Sequence, residues 1–154
     1  MELALKSSGK GSRYGQFALG LLLHCGAGGL AKHVAQAVAF LRLAAAQGLD
    51  EAQLMLGTMY CHGEFNECDD ANDEGVVCVT EEDEAEGLRL YQLAAAQGHP
   101  EALYLVAQCY EQEEDVAEAI RWYKLAQAAG HFNAEEEWQK LLSDDDDDDD
   151  DDDT

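Results

Sequence analysis

Apolar side chains recur along this chain every three to four residues in seven separate stretches, the spacing by which one face of an α-helix is buried. Three stretches share an ending: "FLRLAAAQG" (Phe40 to Gly48), "LYQLAAAQG" (Leu90 to Gly98) and "WYKLAQAAG" (Trp122 to Gly130). Counting back from each terminal glycine aligns Ala37, Gly87 and Ala119, then Phe40, Leu90 and Trp122, then Leu41, Tyr91 and Tyr123. Upstream of each ending lies a second helical pattern, "FALGLLLHCG" around Gly20, "LMLGTMYCHG" around Gly57 and "YLVAQCYEQE" around Ala107. The repeating unit is a helix pair.

Residue types at the aligned positions say how the pairs pack. Small residues at Gly20, Gly57 and Ala107, and at Ala44, Ala94 and Ala126, let helix axes approach to roughly 8 Å while larger neighbours fill the grooves. Gly48, Gly98 and Gly130 stand where a left-handed residue ends a helix, and Pro100 suits the first turn of the next. Asp50 and Asn133, at the matching positions, suit a cap or first turn. After Gly130, "HFNAEEEWQKLL" aligns Ala134 with Ala52 and Ala102 as a fourth first-helix without its partner. Its Glu135 to Glu137, set against Phe132, Trp138, Leu141 and Leu142, fit a terminal cap.

The "LGxMYxxG" phrase at Leu56 to Gly63 and the Ala-Ala-Ala-Gln-Gly endings resemble the Sel-one-like repeat (SLR), a relative of the tetratricopeptide repeat, from roughly Ser12 to Leu142. Repeat three departs from the pattern, running "CYEQEEDVAEA" where a glycine loop is expected. The resemblance implies an all-α fold, a right-handed α/α superhelix of three helix-pair repeats plus a C-terminal capping helix. It also implies a concave groove that binds partner proteins, an adaptor role in signalling or quality control, and no catalytic residues. The expected organisation is a flexible segment over 1–11, a repeat domain over 12–142 and a disordered poly-Asp tail over 143–154. Within the domain the repeats fall at about 12–48, 49–98 and 99–130, with the cap at 131–142.

Repeat two is longer than the others. From the first-helix glycine or alanine to the terminal glycine the repeats measure 28, 41 and 23 residues, and the excess falls at about 64–83, between paired helices. Thirteen acids and no lysine or arginine lie between Arg42 and Arg89. The plain reading is a solvated acidic loop. A sharper one is a calcium loop over "DANDEGVVCVTE", with Asp70, Asn72, Glu74, the Val76 carbonyl and Glu81 at ligand positions and Gly75 at the turn. Against it, Cys78 at the ninth position is a poor partner for a hard cation, and no helix leads directly into Asp70. A thiol reading gives zinc Cys61, His62, Cys68 and Cys78, without the usual Cys-x-x-Cys knuckles, or joins Cys68 to Cys78 in an oxidising compartment. Cys25 and Cys109 read as small buried hydrophobes.

Charge narrows the partners. Nine lysines and arginines against 33 acids give −24, of which Asp144 to Asp153 supply ten, leaving −14 elsewhere. Such a chain is a poor ligand for nucleic acid or an anionic bilayer, and its natural counterparts are basic proteins and divalent cations. The N-terminal residues lack the order of a signal peptide, and the longest apolar run, Phe17 to Ala31, is too short to span a bilayer, so the expectation is a cytoplasmic or nuclear protein. No nucleophile–base pair, phosphate loop after a strand or helical His pair appears, which argues against an enzyme. The expected function is a protein-binding module, a monomer or part of a larger assembly. Its groove contacts are expected at Gln53, Tyr60, Tyr104 and Gln108.

Overall fold

In the computed structural model, which describes residues 11–26, 33–62 and 81–144, the expected helices form in the expected order. They are α1 (Arg13–Cys25), α2 (Val34–Ala46), α3 (Asp50–His62), α4 (Glu81–Ala96), α5 (Pro100–Gln112), α6 (Val116–Ala128) and α7 (Ala134–Asp144). Among the described residues there is no strand, and no helix is long and apolar enough to cross a membrane. Residues 1–10 of the segment expected to be flexible, residues 27–32, the bulk of the acidic insertion and the tail from 145 lie outside the described residues.

Each repeat closes on the same hydrogen-bonded turn. Gly48, Gly98 and Gly130 adopt φ of 78°, 83° and 97°. In that left-handed state Gly48 N–H donates to Ala45 O and Leu49 N–H to Ala44 O, with Gly130 and His131 donating likewise to Gln127 O and Ala126 O. The last carbonyls of α2 and α6 are thereby satisfied and the chain reverses without a loop. Pro100 opens α5 at its first position, as expected, with His99 Nδ1 accepting from Ala102 N–H. Repeat three turns between α5 and α6 without glycine. Glu114 takes φ 61°, and Asp115 N–H donates to Tyr110 O, so a glutamate occupies the left-handed position. Asp115 then caps α6 by accepting from Glu118 N–H.

The chain divides into two compact units, Met1–Ala94 and Ala95–Thr154. In the first, α2, α3 and α4 bury Leu41, Leu56, Met59 and Leu90 in one cluster against which Phe17 and Met55 pack, while Leu19, Leu23 and Ala37 pack between α1 and α2. Helices α3 and α4 meet almost backbone to backbone. A Cβ on Gly57 would lie 2.8 Å from the Tyr91 ring and 3.1 Å from Gly87 O, and one on Gly87 would strike Cys61 Sγ. The aligned small residues therefore act as expected, as contact points. In the second unit α5, α6 and α7 enclose Val106, Ala107, Ala119, Tyr123, Ala126 and Ala134.

Two details differ from the sequence reading. Cys25 is exposed rather than buried, because it is the last residue of α1 and the left-handed Gly26 turns the chain away beyond it. Cys109 is only partly buried. The capping helix also runs two residues further than Leu142, to Asp144, since Ser143 Oγ donates back to Lys140 O and keeps the last turn wound.

Two substitutions test these constraints. Gly57→Ala is expected to destabilise the chain by about 1–3 kcal/mol despite alanine's better helix propensity, because the Tyr91 ring must move. Glu114→Gly is expected to stabilise by about 1 kcal/mol, by relieving a left-handed residue that carries a Cβ. Urea unfolding midpoints of the two variants against the parent chain measure both; a stable Gly57→Ala variant would remove the close approach from the account.

Candidate functional site

The four residues expected to line a binding groove fall into two groups, one in each unit. Gln53 and Tyr60 are buried on α3, and their polar atoms face their own unit. The Gln53 amide donates to Ala45 O at 3.2 Å, and the Tyr60 hydroxyl accepts from the Arg42 guanidinium, which also stands over the Tyr60 ring at 5.7 Å. Both are packing residues that border a groove of about 410 Å³ between α2 and α4, floored by α3. Arg42 rims the groove on the α2 side, and Glu86, Arg89 and Leu93 rim it on α4. Glu86 accepts from both Nε and Nη2 of Arg89, at 2.7 and 2.6 Å. That bond, more than the nearby Arg42 charge, holds the Glu86 carboxyl below its usual range.

Tyr104 and Gln108 are half-buried on α5, in the second unit. Glu101, Tyr104, Gln108 and Glu111 are spaced so that a helix sets them on one face. Three acids surround Tyr104, each held by a different device. Glu101 Oε2 meets His131 Nε2 at 3.1 Å, and Glu111 Oε2 accepts from the Tyr123 hydroxyl at 2.6 Å. Glu137, on α7, bonds with the Tyr104 hydroxyl. The aromatic rings form a continuous support: His131 stacks on Tyr104 with centroids 4.1 Å apart, Tyr123 lies tilted at 5.3 Å from Tyr104, and Phe132 stacks on His131 at 5.5 Å. Burial, then the charges of Glu137, Glu111 and Glu101, push the Tyr104 phenol above its ordinary range. Tyr123 is pushed further up, first by burial and then by its bond to Glu111.

The sequence reading named Tyr104 and Gln108 as candidate contacts and did not name Glu101, Glu111, Glu137 or His131 among them. No sequence signal marks His131, because histidine also follows the left-handed glycine in repeat two, as His99; only the structure shows that His131 is buried there as Leu49 is. Of the calcium-loop residues only Glu81 is described, as the exposed first residue of α4; Asp70, Asn72, Glu74 and Val76 lie outside the described residues. Of the zinc set, Cys68 and Cys78 are likewise outside them. Cys61 faces Gly87 in the α3–α4 contact, where burial pushes its thiol up, and the exposed His62 bonds through Nδ1 to Thr58 O at 2.8 Å. Among the described residues no cluster of three or more His, Cys, Asp or Glu could hold a metal ion.

The raised phenols set the sign of an alkaline dependence. The folded state favours the neutral phenol, so this contribution to stability is complete below the ordinary tyrosine value near pH 10 and is lost as pH rises through the folded values. Stability is therefore expected to fall above about pH 10. Tyr123→Phe should flatten that fall, at a cost of about 1 kcal/mol near neutrality where the Glu111 bond is gone. Urea unfolding followed by circular dichroism at a series of alkaline pH values checks both, and an unchanged slope in the variant would dismiss Tyr123 as the cause.

A family model, the Sel1 repeat, matches residues 13–49, 50–67, 71–99 and 100–131. The break at 68–70 falls within the acidic insertion, between α3 and α4. The crystal structure of a Sel1 repeat protein from Oxalobacter formigenes is 29% identical, with a TM-score of 0.71, over 89% of this chain and 95% of that one. A protective antigen present in uropathogenic Escherichia coli strains and displaying an SLR fold is 22% identical with a TM-score of 0.73, a likeness of fold alone. That match covers 93% of this chain and 28% of the antigen. No curated protein matches the chain.

Proposed function

The chain belongs to the Sel1 repeat family, whose repeats mediate protein–protein interaction, and we propose that it is a non-enzymatic adaptor that binds a basic peptide segment on the first-helix face of its second unit. The observation that carries this reading is the ring of Glu101, Glu111 and Glu137 around the half-buried Tyr104. A lysine or arginine side chain laid over the phenol ring gains a cation–π contact, and its charged head lies within reach of carboxylates already oriented by His131, Tyr123 and Tyr104. Gln108, one turn further along α5, offers an amide that can donate to or accept from the backbone of such a segment.

The aromatic support explains why this face is suited to recognition. Exposed carboxylates on long side chains lose rotamer entropy when they grip a ligand. Glu101 and Glu111 are already bonded to His131 and Tyr123, so part of that ordering is complete beforehand. The poly-Asp tail adds long-range attraction for the same class of ligand, without shape.

Fluorescence anisotropy with a labelled Lys/Arg-rich peptide tests the proposal on the full chain, on Tyr104→Ala, on Glu137→Gln and on a chain truncated after Ser143. Tyr104→Ala is expected to weaken binding about tenfold, the loss of one well-placed cation–π and packing contact. Glu137→Gln should weaken it by a smaller factor, and affinity should fall with added salt. Truncation should slow association while leaving most of the affinity. Binding that survives Tyr104→Ala but vanishes on truncation would assign the ligand to the tail and end this reading.

A further inference from the structure

The groove between α2 and α4 has the opposite electrostatic character from the rest of the chain. Among the described residues of the first unit the lysines and arginines are Arg13, Arg42 and Arg89, and two of the three stand on the rim of this one groove. Among the described residues the rim carries one carboxylate, Glu86, which Arg89 grips with two hydrogen bonds. Arg42 is held by an uncharged partner, the Tyr60 hydroxyl and ring. The described rim residues, two arginines and one glutamate, therefore sum to a positive charge in a protein of net charge −24.

Between the charged rims the groove is apolar. Leu56 forms its floor, Leu90 lines its α4 wall, Leu93 is 41% exposed at its edge, and the small Ala45, Ala46 and Gly48 keep the α2 side open. Its volume, about 410 Å³, lies within the range of pockets that bury a small ligand and accommodates one large apolar side chain with its backbone. The guanidinium of Arg42 is fixed by a stacking and a bonding contact from the same tyrosine, which orients its remaining N–H groups before any ligand arrives. Such a planar fork matches a carboxylate in bidentate fashion.

We propose that the groove formed by α2, α3 and α4 is a second docking site, for an acidic peptide segment that inserts one large apolar side chain against Leu56, Leu90 and Leu93 and places flanking carboxylates on Arg42 and Arg89. Charge complementarity selects the ligand: a basic segment would meet two guanidiniums, whereas an acidic one completes the fork of Arg42 and competes with Glu86 for Arg89. The apolar floor separates this site from a simple counterion patch, since a polyanion without an anchor leaves Leu56, Leu90 and Leu93 uncovered. The chain then carries two sites of opposite preference on separate units, as an adaptor joining unlike partners requires.

The test uses the full chain and labelled heptapeptides of the form Asp-Glu-Asp-X-Asp-Glu-Asp, with X leucine, phenylalanine or tryptophan, and glycine as the control. At low salt, about 50 mM, at least one anchored peptide is expected to bind about tenfold tighter than the glycine control. Arg42→Gln and Leu93→Ser should each reduce that affinity about fivefold or more, with the far-ultraviolet circular dichroism of both variants unchanged. The Arg42 and Arg89 Nε–Hε resonances should shift on titration. Since Arg42→Gln also removes the donor that the Tyr60 hydroxyl accepts from, Arg89→Gln provides an independent rim variant with the same expected loss. Equal affinity for the anchored and glycine peptides, binding indifferent to all three variants, or light scattering showing that a second copy of the chain occupies the groove would overturn the proposal. Tyr104→Ala, which acts on the other unit, should leave these peptides unaffected, so failure here and failure of the basic-segment site are told apart.

Discussion

The distance at which two helix backbones can meet governs this fold. At the crossing of α3 and α4 neither Gly57 nor Gly87 leaves room for a methyl group, and the space is taken by the Tyr91 ring and the Cys61 thiol. Gly20 meets Leu41 in the same way at the crossing of α1 and α2. Close approach lets large residues on either side interlock, as Leu41, Leu56, Met59 and Leu90 do in the first unit. The left-handed turns follow from it. Helices so close must reverse within two or three residues, and a positive φ at the helix end achieves that while satisfying the last carbonyls.

That constraint also explains what was legible in the sequence. Small residues at fixed offsets and glycines at fixed ends are local signals, so the seven helices of the described residues, their order and their family resemblance could all be read from the chain. Gln53 and Tyr60 border the groove of the first unit while their polar groups are engaged within that unit. Buried polar groups need partners, and here Ala45 O and Arg42 supply them from a neighbouring helix, at a separation that no periodic pattern encodes. The arginine-rimmed groove was illegible for the same reason: Arg42 and Arg89 stand on different helices, with the acidic insertion between them in sequence. The Tyr104 face was half legible, since the α5 residues share a helical spacing while His131 and Glu137 arrive from the turn and the capping helix.

Net charge alone is a poor guide to how such a protein meets its partners. A value of −24 describes the far field, which decides what approaches. At contact distance the surface is divided. Carboxylates gather around an aromatic stack in one unit, and guanidiniums around an apolar trough in the other. A solenoid suits such division because each helix pair contacts only its neighbours, so one repeat can change its surface without disturbing the packing of the next.

The connection of repeat three has a consequence for motion. Only Glu113, Glu114 and Asp115 join α5 to α6, and their backbone is fixed by bonds to Cys109, Glu111 and Tyr110. A linkage with so little slack cannot let one helix of the pair unwind while the other stays docked, so the two share a single opening event and their amides should exchange with solvent at a common rate. Eighteen residues separate the end of α3 from the start of α4, so no comparably short linkage ties the opening of one helix of that pair to the other.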